Sequence, residues 1–378
     1  ISMDINQKIT EELGVKKWQV DAAVKLIDEG NTIPFIARYR KEAHGTLDDE
    51  QLRKLYERLT YLRNLEEKKE QVLASIEEQG KLTPELKAQI VAAETQVLVD
   101  DLYRPYRPKR RTRATIAKEK GLEPLAVLIS LQNSKEPLEK EAEKYVSEEK
   151  GVKNVQEAID GAKDILAENI SDEADYRKRI RDLTFKKGTL VSAAKDEKAE
   201  SVYEMYYDFT EAVSKVAGHR VLALNRGEKE KFLSVKIEAP EEEILRYLEK
   251  KAIRRDNPYT TPILKEVVAD SYQRLIAPAI ERELRNELTE KAEKQAISVF
   301  AANLRQLLLQ QPIAGHTVLG LDPGYRTGCK AAVIDPNGRT LAINTLYITG
   351  SQHQREQAEA GFMDLVTRHK VTLVAIGN

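Results

Sequence analysis

The chain has 378 residues, and its 61 lysines and arginines are balanced by 62 aspartates and glutamates, giving a formal net charge of −1. This balance excludes a uniformly basic nucleic-acid-binding coat, although a local basic patch remains open. One cysteine excludes an intrachain disulfide framework and any CxxC metal site.

The length predicts two or three domains. The sequence contains no apolar run of about 18 residues, so we expect no membrane-spanning segment and no membrane partner. The first residues carry neither the basic stretch nor the apolar core of a signal peptide. We therefore expect a cytoplasmic protein.

Helix signals dominate the first 300 residues. Apolar residues at helical spacing precede Gly14 and then Gly30, which predicts two short helices around a glycine turn. This arrangement is typical of a helix-turn-helix, but an ordinary helical hairpin is commoner, and both interpretations stay open. Trp18 and the tyrosines are interpreted as core and rim residues.

A longer amphipathic helix of about thirty residues is predicted to end at Gly80, with the charge run from Glu66 to Glu70 on its solvated face. Thr83 and Pro84 open another helix. Further helices are predicted near 122–131, 137–147, 154–169 and 173–187.

Residues 188–240 give weaker signals. Strands are indicated at 189–191 and at 232–237, where apolar and polar residues alternate. The segment 219–225 fits a helix or a strand, and the pattern does not decide between them.

The longest predicted helix runs from near Pro278 to Gln311, roughly 50 Å at 1.5 Å per residue. Its apolar residues recur every four positions, and each such step overshoots one helical turn by about 40°. The apolar stripe therefore winds around the helix, which is expected to contact different parts of the molecule along its length. The alternative is a helix broken near Lys291–Lys294.

After Pro312 the pattern changes to that of an α/β sheet. Three apolar runs, separated by turn residues, predict three strands in succession. Ser351 is expected to cap a helix that runs to about Arg368. Residues 371–376 then form a predicted buried strand of the parallel type. The order is a meander followed by the first crossover of an α/β sheet.

The sharpest motif is the turn after the first of these strands, with Asp322, Gly324 and Thr327. In an RNase H-like fold such an aspartate is one of several carboxylates that hold Mg²⁺. In actin-like kinases the same pattern surrounds nucleotide phosphates, and a third interpretation is an aspartate that only caps the turn.

The nuclease interpretation requires further carboxylates. The position expected for a second acid, at the end of the last strand, is occupied by Gly377 and Asn378. Asp335 falls in a hairpin turn at the other end of the sheet. We therefore expect Asp322 to be vestigial, and we expect no catalysis, no bound metal and no cofactor.

A basic segment gives the second signal. Residues 101–120 hold eight basic and two acidic residues, a local charge of +6. Two prolines keep the segment extended, so it can follow a phosphate backbone while its tyrosine stacks on a base. The alternative is a basic loop paired with nearby acidic helices. The predicted nucleic-acid-binding residues here are Arg104, Tyr106, Arg107, Lys109, Arg110, Arg111 and Arg113.

A third candidate is the short basic stretch with Arg38, Arg40 and Lys41. These side chains are predicted to contact phosphate groups. Salt bridges to neighbouring helices are an equally good interpretation of the same three residues.

Four stretches carry a more specific signal: NTIPFIARYRKEAHGTLDDEQLR, LYRPYRPKRRTRATIAKEKGLEPLA, EKQAISVFAANLRQLLL and VLGLDPGYRTGCKAAVID. They closely resemble the bacterial Tex family of transcription accessory proteins, and the resemblance covers essentially the whole chain. In the family motif, Asp322, Gly324 and Thr327 match the turn after the first strand.

The resemblance implies a helical N-terminal domain with a helix-turn-helix element, a long central helix and an RNase H-like domain of the YqgF type. Members of the family bind nucleic acid, RNA in particular, and nuclease action is not an established activity. Helix-hairpin-helix repeats and an OB-fold domain normally follow in the family. This chain is therefore expected to correspond to the N-terminal part of a member.

These observations predict a mainly α protein, with a multi-helical N-terminal region, a long central helix and a partial α/β RNase H-like (YqgF) domain. The expected boundaries are 1–195, 196–311 and 312–378. The expected function is that of a non-catalytic transcription accessory factor that binds RNA or DNA. The alternatives are a metal-dependent nuclease that uses Asp322 and a scaffold that docks RNA polymerase or the ribosome.

Overall fold

The computed structural model describes residues 2–377, which form seventeen α-helices and seven strands. The mainly α architecture predicted from the sequence is confirmed. The chain separates into two compact units, Ile1–Ala296 and Ile297–Asn378. The finer boundaries at 195 and 311 stay predictions. No helix within 2–377 is long and apolar enough to cross a membrane.

The first unit opens with helices that pack around one long helix. These are α1 (Ile5–Leu13), α2 (Lys17–Asp28), α3 (Ile33–Tyr39), α4 (Lys41–His44), α5 (Asp49–Glu78), α6 (Pro84–Ala92) and α7 (Gln96–Tyr103). The predicted thirty-residue helix is α5, and its leucines at 52, 55, 59, 62 and 65 are buried in the first hydrophobic core. Asp48 caps α5, since its side chain accepts a hydrogen bond from the Gln51 backbone N–H.

Two features of this region concern the end of α1 and the charged face of α5. Gly14 adopts a left-handed conformation with φ of 64° and ends α1 as predicted, whereas the choice between a helix-turn-helix and a plain hairpin stays open. The expectation that the charge run of α5 is solvated is wrong at Lys69. This side chain is buried, and its ammonium donates to the Val91 carbonyl at 2.8 Å and contacts Glu66 at 3.1 Å.

A second group of helices surrounds a separate core. It comprises α8 (Arg113–Glu119), α9 (Glu123–Leu131), α10 (Leu138–Ala142), α11 (Val155–Ser171) and α12 (Ala174–Lys187). The four helices predicted in this part of the chain are confirmed. Gly161 lets α11 approach its neighbours closely, because a Cβ at this position would lie 2.3 Å from Leu122 Cδ1.

The first unit also contains a small antiparallel sheet with further helices. The elements are β1 (Thr189–Ala194), β2 (Asp208–Ala212), α13 (Gly218–Lys229), β3 (Leu233–Glu238), α14 (Glu241–Ala252), α15 (Thr261–Asp270) and the first part of α16 (Ala277–Leu308), which continues into the second unit from Ile297. The strand order is β2-β1-β3. The sequence predicted β1 and β3 but missed β2, and the undecided segment 219–225 lies within helix α13.

The long helix predicted from Pro278 is confirmed as α16, which follows a π-helical stretch at 271–276. The helix passes through Lys291–Lys294 without interruption, so the broken-helix alternative is wrong. Ile280 and Leu284 are buried in a third core, whereas apolar residues near its C-terminal end, such as Phe300 at 67%, are exposed.

After the C-terminal end of α16, the second unit forms a four-stranded mixed sheet with one further helix. Its elements are β4 (Val318–Asp322), β5 (Cys329–Ile334), β6 (Thr340–Leu346), α17 (Gln352–Arg368) and β7 (Leu373–Ile376). The strand order is β6-β5-β4-β7, with β7 parallel to β4 and the other pairs antiparallel. The predicted meander and crossover are confirmed, as is the Ser351 cap of α17. The expectation that the last strand is buried is wrong, because β7 lies at the sheet edge and Ile376 is 71% exposed.

Candidate nucleic-acid interface

The predicted basic segment links α7 to α8. We call residues 104–113 the basic arm. It starts with a single 3₁₀ turn at Arg104–Tyr106, continues in extended conformation at Arg107, and ends where the Thr112 side chain accepts a hydrogen bond from the Thr115 N–H. Prolines at 105 and 108 favour this course, because proline fixes φ and restricts the residue before it.

One cation of the basic arm forms ion pairs with carboxylates of the same chain. The Lys109 ammonium lies 3.0 Å from Glu168 and also contacts Asp172, and its side chain is only 22% exposed. Burial raises the pKa of Asp172, and the nearby Lys109 ammonium acts in the opposite direction. Lys109 thus attaches the basic arm to α11 and the turn that follows it.

Three further residues of the basic arm are partly engaged. The Arg107 guanidinium lies 3.2 Å from Asp100 and above the Tyr103 ring. Tyr106 packs against the first core rather than projecting freely. Arg104 is partly buried, and its Nε has no hydrogen-bond partner within 2–377.

The outer side of the basic arm is different. Arg111 is 3.5 Å from Glu119, but both side chains are mostly exposed, so the pair contributes little. Arg110 and Arg113 are exposed, and neither has a carboxylate within 4 Å in the described part of the chain. These two guanidinium groups are available to an external anion.

The inner side of the basic arm borders a cleft of about 720 Å³. The charged residues that line the cleft are nearly balanced, with five acids and four bases: Asp101, Glu168, Asp172, Glu173 and Asp175 against Lys81, Arg107, Lys109 and Lys118. Because its charges nearly cancel, the cleft lacks the excess of positive charge that attracts a phosphate backbone.

The third predicted patch lies where α3 meets α4. We call residues 38–41 the α3–α4 corner. Arg40 has φ of −130° and ψ of 29°, which interrupts the helix and turns the chain between the two short segments. The buried His44 ring is 3.0 Å from the Ile36 carbonyl, so α4 is held against α3.

All three basic side chains of the α3–α4 corner are exposed. Within 2–377, Arg38, Arg40 and Lys41 have no carboxylate within the 4 Å of an ion pair, so the salt-bridge alternative is wrong for the described chain. Arg38 instead lies over the Tyr39 ring at 5.4 Å, and Arg40 lies over Phe35 at 5.0 Å. These cation–π contacts fix the guanidinium groups without neutralising them.

Two aromatic side chains near this corner were not predicted to belong to a binding site. Tyr39 is 54% exposed, and Trp18 in the first turn of α2 is 52% exposed. A Cβ at Gly45, directly after α4, would lie 2.9 Å from Trp18 Cη2, so the indole rests against the end of α4. In the sequence, only the glycine at position 45, where φ is 75°, signals that the Trp18 indole lies close to the backbone.

The aspartate of the sharpest motif ends β4 and is exposed. Residue 377 follows the parallel strand β7 beside it, since a Cβ on Gly377 would lie 3.9 Å from Asp322 Oδ1. The predicted position of a second acid is therefore adjacent to Asp322 in space, and a glycine occupies it; Asn378 is outside the described residues. Asp335 lies in the β5–β6 turn, where its carboxylate accepts hydrogen bonds from Asn337 and Arg339.

The turn itself is tightly folded. A Cβ at Gly324 would lie 2.7 Å from Thr327 Oγ1 and 2.8 Å from the Gly328 carbonyl, so only glycine fits there. The structure thus brings Gly324 and Thr327 together after Asp322. Between residues 2 and 377, no three histidine, cysteine, aspartate or glutamate side chains converge as a metal site would require.

The fold defines a multi-helical protein with exposed basic patches, followed by a mixed sheet of the RNase H-like kind. Three family profiles match along the chain: "Tex-like protein N-terminal domain" at residues 3–77, "Tex central region-like" at 132–300 and "Tex protein YqgF-like domain" at 316–378. The chain belongs to the Tex family.

Relatives from several organisms align with nearly the whole chain. The uncharacterized protein YdcI of Bacillus subtilis is 49% identical over 99% of the chain and 52% of its own length. The transcriptional accessory protein Tex of Neisseria gonorrhoeae is 41% identical over 100% of the chain and 50% of its own length. The human S1 RNA-binding domain-containing protein 1 is 32% identical over 100% of the chain and 39% of its own length. The chain spans about half the length of these bacterial relatives and 39% of the length of the human one.

Proposed function

We propose that this chain is a nucleic-acid-binding part of a transcription accessory factor and that its preferred ligand is RNA. The observation that carries the proposal is that several exposed lysine and arginine side chains have no carboxylate partner within the described residues. Arg38, Arg40 and Lys41, together with Arg110 and Arg113, are exposed and have no carboxylate partner within the described residues. Unpaired cations of this kind bind phosphate groups by displacing counterions.

The relatives support the same proposal. One is called a transcriptional accessory protein, and another carries an S1 RNA-binding domain in its name. A ligand with regularly spaced phosphates explains why two separate patches keep their charges unpaired in a chain with a net charge of −1. The cytoplasm remains the predicted location.

The affinity of an RNA oligonucleotide tests the proposal directly. The triple variant Arg38→Ala, Arg40→Ala, Lys41→Ala should bind a labelled RNA about tenfold more weakly in a fluorescence anisotropy titration, because three phosphate contacts are lost. The double variant Arg110→Ala, Arg113→Ala should also bind more weakly.

The matched control removes the same charge elsewhere. Lys135, Lys140 and Lys144 are exposed, and the last two face glutamates. Their triple alanine variant should bind RNA nearly as the parent chain does. Equal losses in the two triple variants would contradict the proposal, since they would show a response to net charge alone.

The proposed function is non-catalytic. Support comes from the position beside Asp322, where the parallel strand β7 presents Gly377 rather than an acidic side chain. Two-metal phosphodiester cleavage needs several carboxylates that converge on the metal ions. Incubation of RNA with the chain and Mg²⁺ should give no cleavage above that of the Asp322→Asn variant, whereas cleavage that this substitution abolishes would establish the nuclease alternative.

A second candidate function, docking of RNA polymerase or the ribosome, is favoured by one observation. The C-terminal end of α16 exposes apolar side chains, including Ile297, Phe300 and Leu307. Capture of either purified assembly by the parent chain, lost on substitution of Phe300 and Leu307 by serine, would support it. Capture that depends on Arg38, Arg40 and Lys41 instead would assign the contact to nucleic acid.

A further inference from the structure

The surroundings of the α3–α4 corner contain exposed aromatic side chains as well as basic ones. Two large aromatic side chains, Trp18 and Tyr39, expose about half of their surface at either end of the short helix α4. Helix α4 has four residues and is therefore about 6 Å long. The indole and the phenol ring thus lie beside the two ends of one short helix, next to the cations of the corner.

Trp18 is held in place from the side of α4. Its indole rests against Gly45, and the neighbouring Gln19 side chain donates a hydrogen bond to the His44 carbonyl at 3.2 Å. The backbone at Gly45, with φ of 75° and ψ of −129°, is a conformation that favours glycine. The half of the indole that does not pack against the chain remains open to solvent.

Tyr39 is also fixed. Its ring lies 5.3 Å from the Phe35 ring at an interplanar angle of 47°, with the Arg38 guanidinium 5.4 Å away. Such contacts limit the rotation of the ring, so little side-chain entropy is lost when a flat ligand packs on it. Arg40 also donates a hydrogen bond to the Tyr39 carbonyl at 3.0 Å.

The combination of fixed, half-exposed rings with unpaired cations suits one ligand in particular. An unpaired base has a free π-face that can stack on an aromatic ring, and its phosphates can contact arginine and lysine. In a duplex the bases are already stacked and paired, so their π-faces are covered while the phosphates stay accessible. Only a single strand can therefore engage both parts of the corner.

We propose that Trp18 and Tyr39 are stacking platforms that make the α3–α4 corner a binding site for single-stranded nucleic acid. Arg38, Arg40 and Lys41 hold the adjacent phosphates. This inference rests on the proposed nucleic-acid binding and specifies its ligand as an unpaired strand.

The chain carries its own probe for this site, since Trp18 is its single tryptophan. Titration of the 378-residue chain with oligo(U) should quench the tryptophan fluorescence as a base stacks on the indole. A duplex of equal length and charge should leave the fluorescence nearly unchanged even where anisotropy reports that it binds.

Substitutions separate stacking from charge. Tyr39→Ala or Trp18→Ala should weaken the binding of oligo(U) by about fivefold or more, with little effect on duplex affinity. Tyr39→Phe keeps the ring and should bind as the parent chain does. Phe185→Ala is the matched control, because Phe185 is a similarly exposed aromatic side chain on α12. Unchanged circular dichroism and melting temperature establish that each variant is folded.

Two failures can be told apart. If oligo(U) binds but neither quenches Trp18 nor responds to Tyr39→Ala, the stacking site is refuted while the proposed function stands. If neither single strand nor duplex binds, the proposed function fails and the stacking site with it.

Discussion

Lys109 and Arg110 are neighbours in the sequence, yet the fold gives them opposite surroundings. The Lys109 ammonium contacts Glu168 and Asp172, whereas the Arg110 guanidinium is exposed without a carboxylate partner in the described chain. Glu168 also accepts a hydrogen bond from the Thr112 hydroxyl at 2.9 Å. Lys109 therefore stabilises the fold, whereas the Arg110 side chain remains available to bind an anion.

Replacement of Lys109 by methionine should lower the free energy of unfolding by about 1–3 kcal/mol at pH 7, because two partly buried carboxylates lose their cation. RNA affinity should change little. Arg110→Ala should do the reverse, with an unchanged free energy of unfolding and weaker binding. Urea unfolding and anisotropy on both variants measure the two quantities.

The pH dependence of the Lys109→Met variant follows from Asp172. Burial already raises the pKa of this carboxyl in the folded chain, and the loss of the ammonium should raise it further. A carboxyl whose folded pKa is raised favours folding at low pH, and this contribution is lost as the pH rises through the folded pKa. The destabilisation of the variant should therefore be smaller at about pH 4 than at pH 7. A loss that grows on acidification would contradict this account of Lys109.

The extended course predicted for the basic segment holds only between Arg107 and Thr112, since helical turns precede it and α8 follows it. Which of its cations pair with carboxylates was not predictable. Pro105 and Pro108 are local signals and predict an extended course. The carboxylate partners of Lys109 lie 59 and 63 positions further along the chain, and only the fold brings them close. Tyr39 and Trp18 were not singled out for the same reason, since exposure depends on how α2, α3 and α4 pack.

Among the elements of the first unit, α7, α12 and α16 are joined by a buried ionic network. Asp101 on α7 contacts Arg181 at 3.1 Å and Arg177 at 3.7 Å, and Glu283 on α16 contacts Arg181 at 2.9 Å. Burial raises the pKa of Asp101 and lowers the pKa of Arg177 to about 10. The network therefore costs desolvation, and its members depend on one another.

Asp101→Ala should destabilise the chain by about 3–5 kcal/mol, because it leaves buried arginines without their carboxylate. The adjacent Asp100 is the matched control. It is exposed to about a third and pairs with Lys68 and Arg107 at the surface, so Asp100→Ala should cost less than about 1 kcal/mol. Similar free energies of unfolding for the two variants would contradict a network that joins these helices.

Alanine substitutions at two glycines within helices distinguish the effect of close packing from the effect of helix propensity. An added Cβ at Gly161 in α11 would lie 2.3 Å from Leu122 and 3.3 Å from the Ala117 Cβ, so Gly161→Ala should destabilise by about 1–3 kcal/mol. At Gly361 in α17 the nearest atom, Leu346 Cδ2, would lie 3.1 Å away, so a shift of a few tenths of an ångström makes room for the added Cβ. Gly361→Ala should be neutral or stabilising by up to about 1 kcal/mol, since alanine favours helix. Thermal unfolding of both variants tests the contrast.

The elements with a strong local period were predictable. Leucines at helical spacing define α5, and the alternation of apolar and polar residues defines β3. Strand β2, five residues with two acids among them, has no such pattern and forms because β1 offers it an edge. Lys69 was misplaced for a related reason, because the Val91 carbonyl that accepts its hydrogen bond belongs to the end of another helix.

At the scale of the whole molecule, a net charge of −1 conceals an uneven distribution. Many cations of the chain are neutralised in pairs such as Arg58–Glu12 and Arg63–Asp28, while those of the α3–α4 corner are not. The sequence predicted which segments are basic and which family they resemble. It could not predict which charges remain available, because that depends on contacts between distant parts of the chain.

The central claim is that the unpaired cations of the α3–α4 corner contact phosphates. The salt dependence of RNA affinity measures this most directly, since each phosphate contact on a single strand adds about 0.7 to the slope of log Kd against log salt concentration. The triple variant Arg38→Ala, Arg40→Ala, Lys41→Ala should lower that slope by about 2 relative to the parent chain. An unchanged slope would show that these three side chains do not contact the nucleic acid, and the claim would be contradicted.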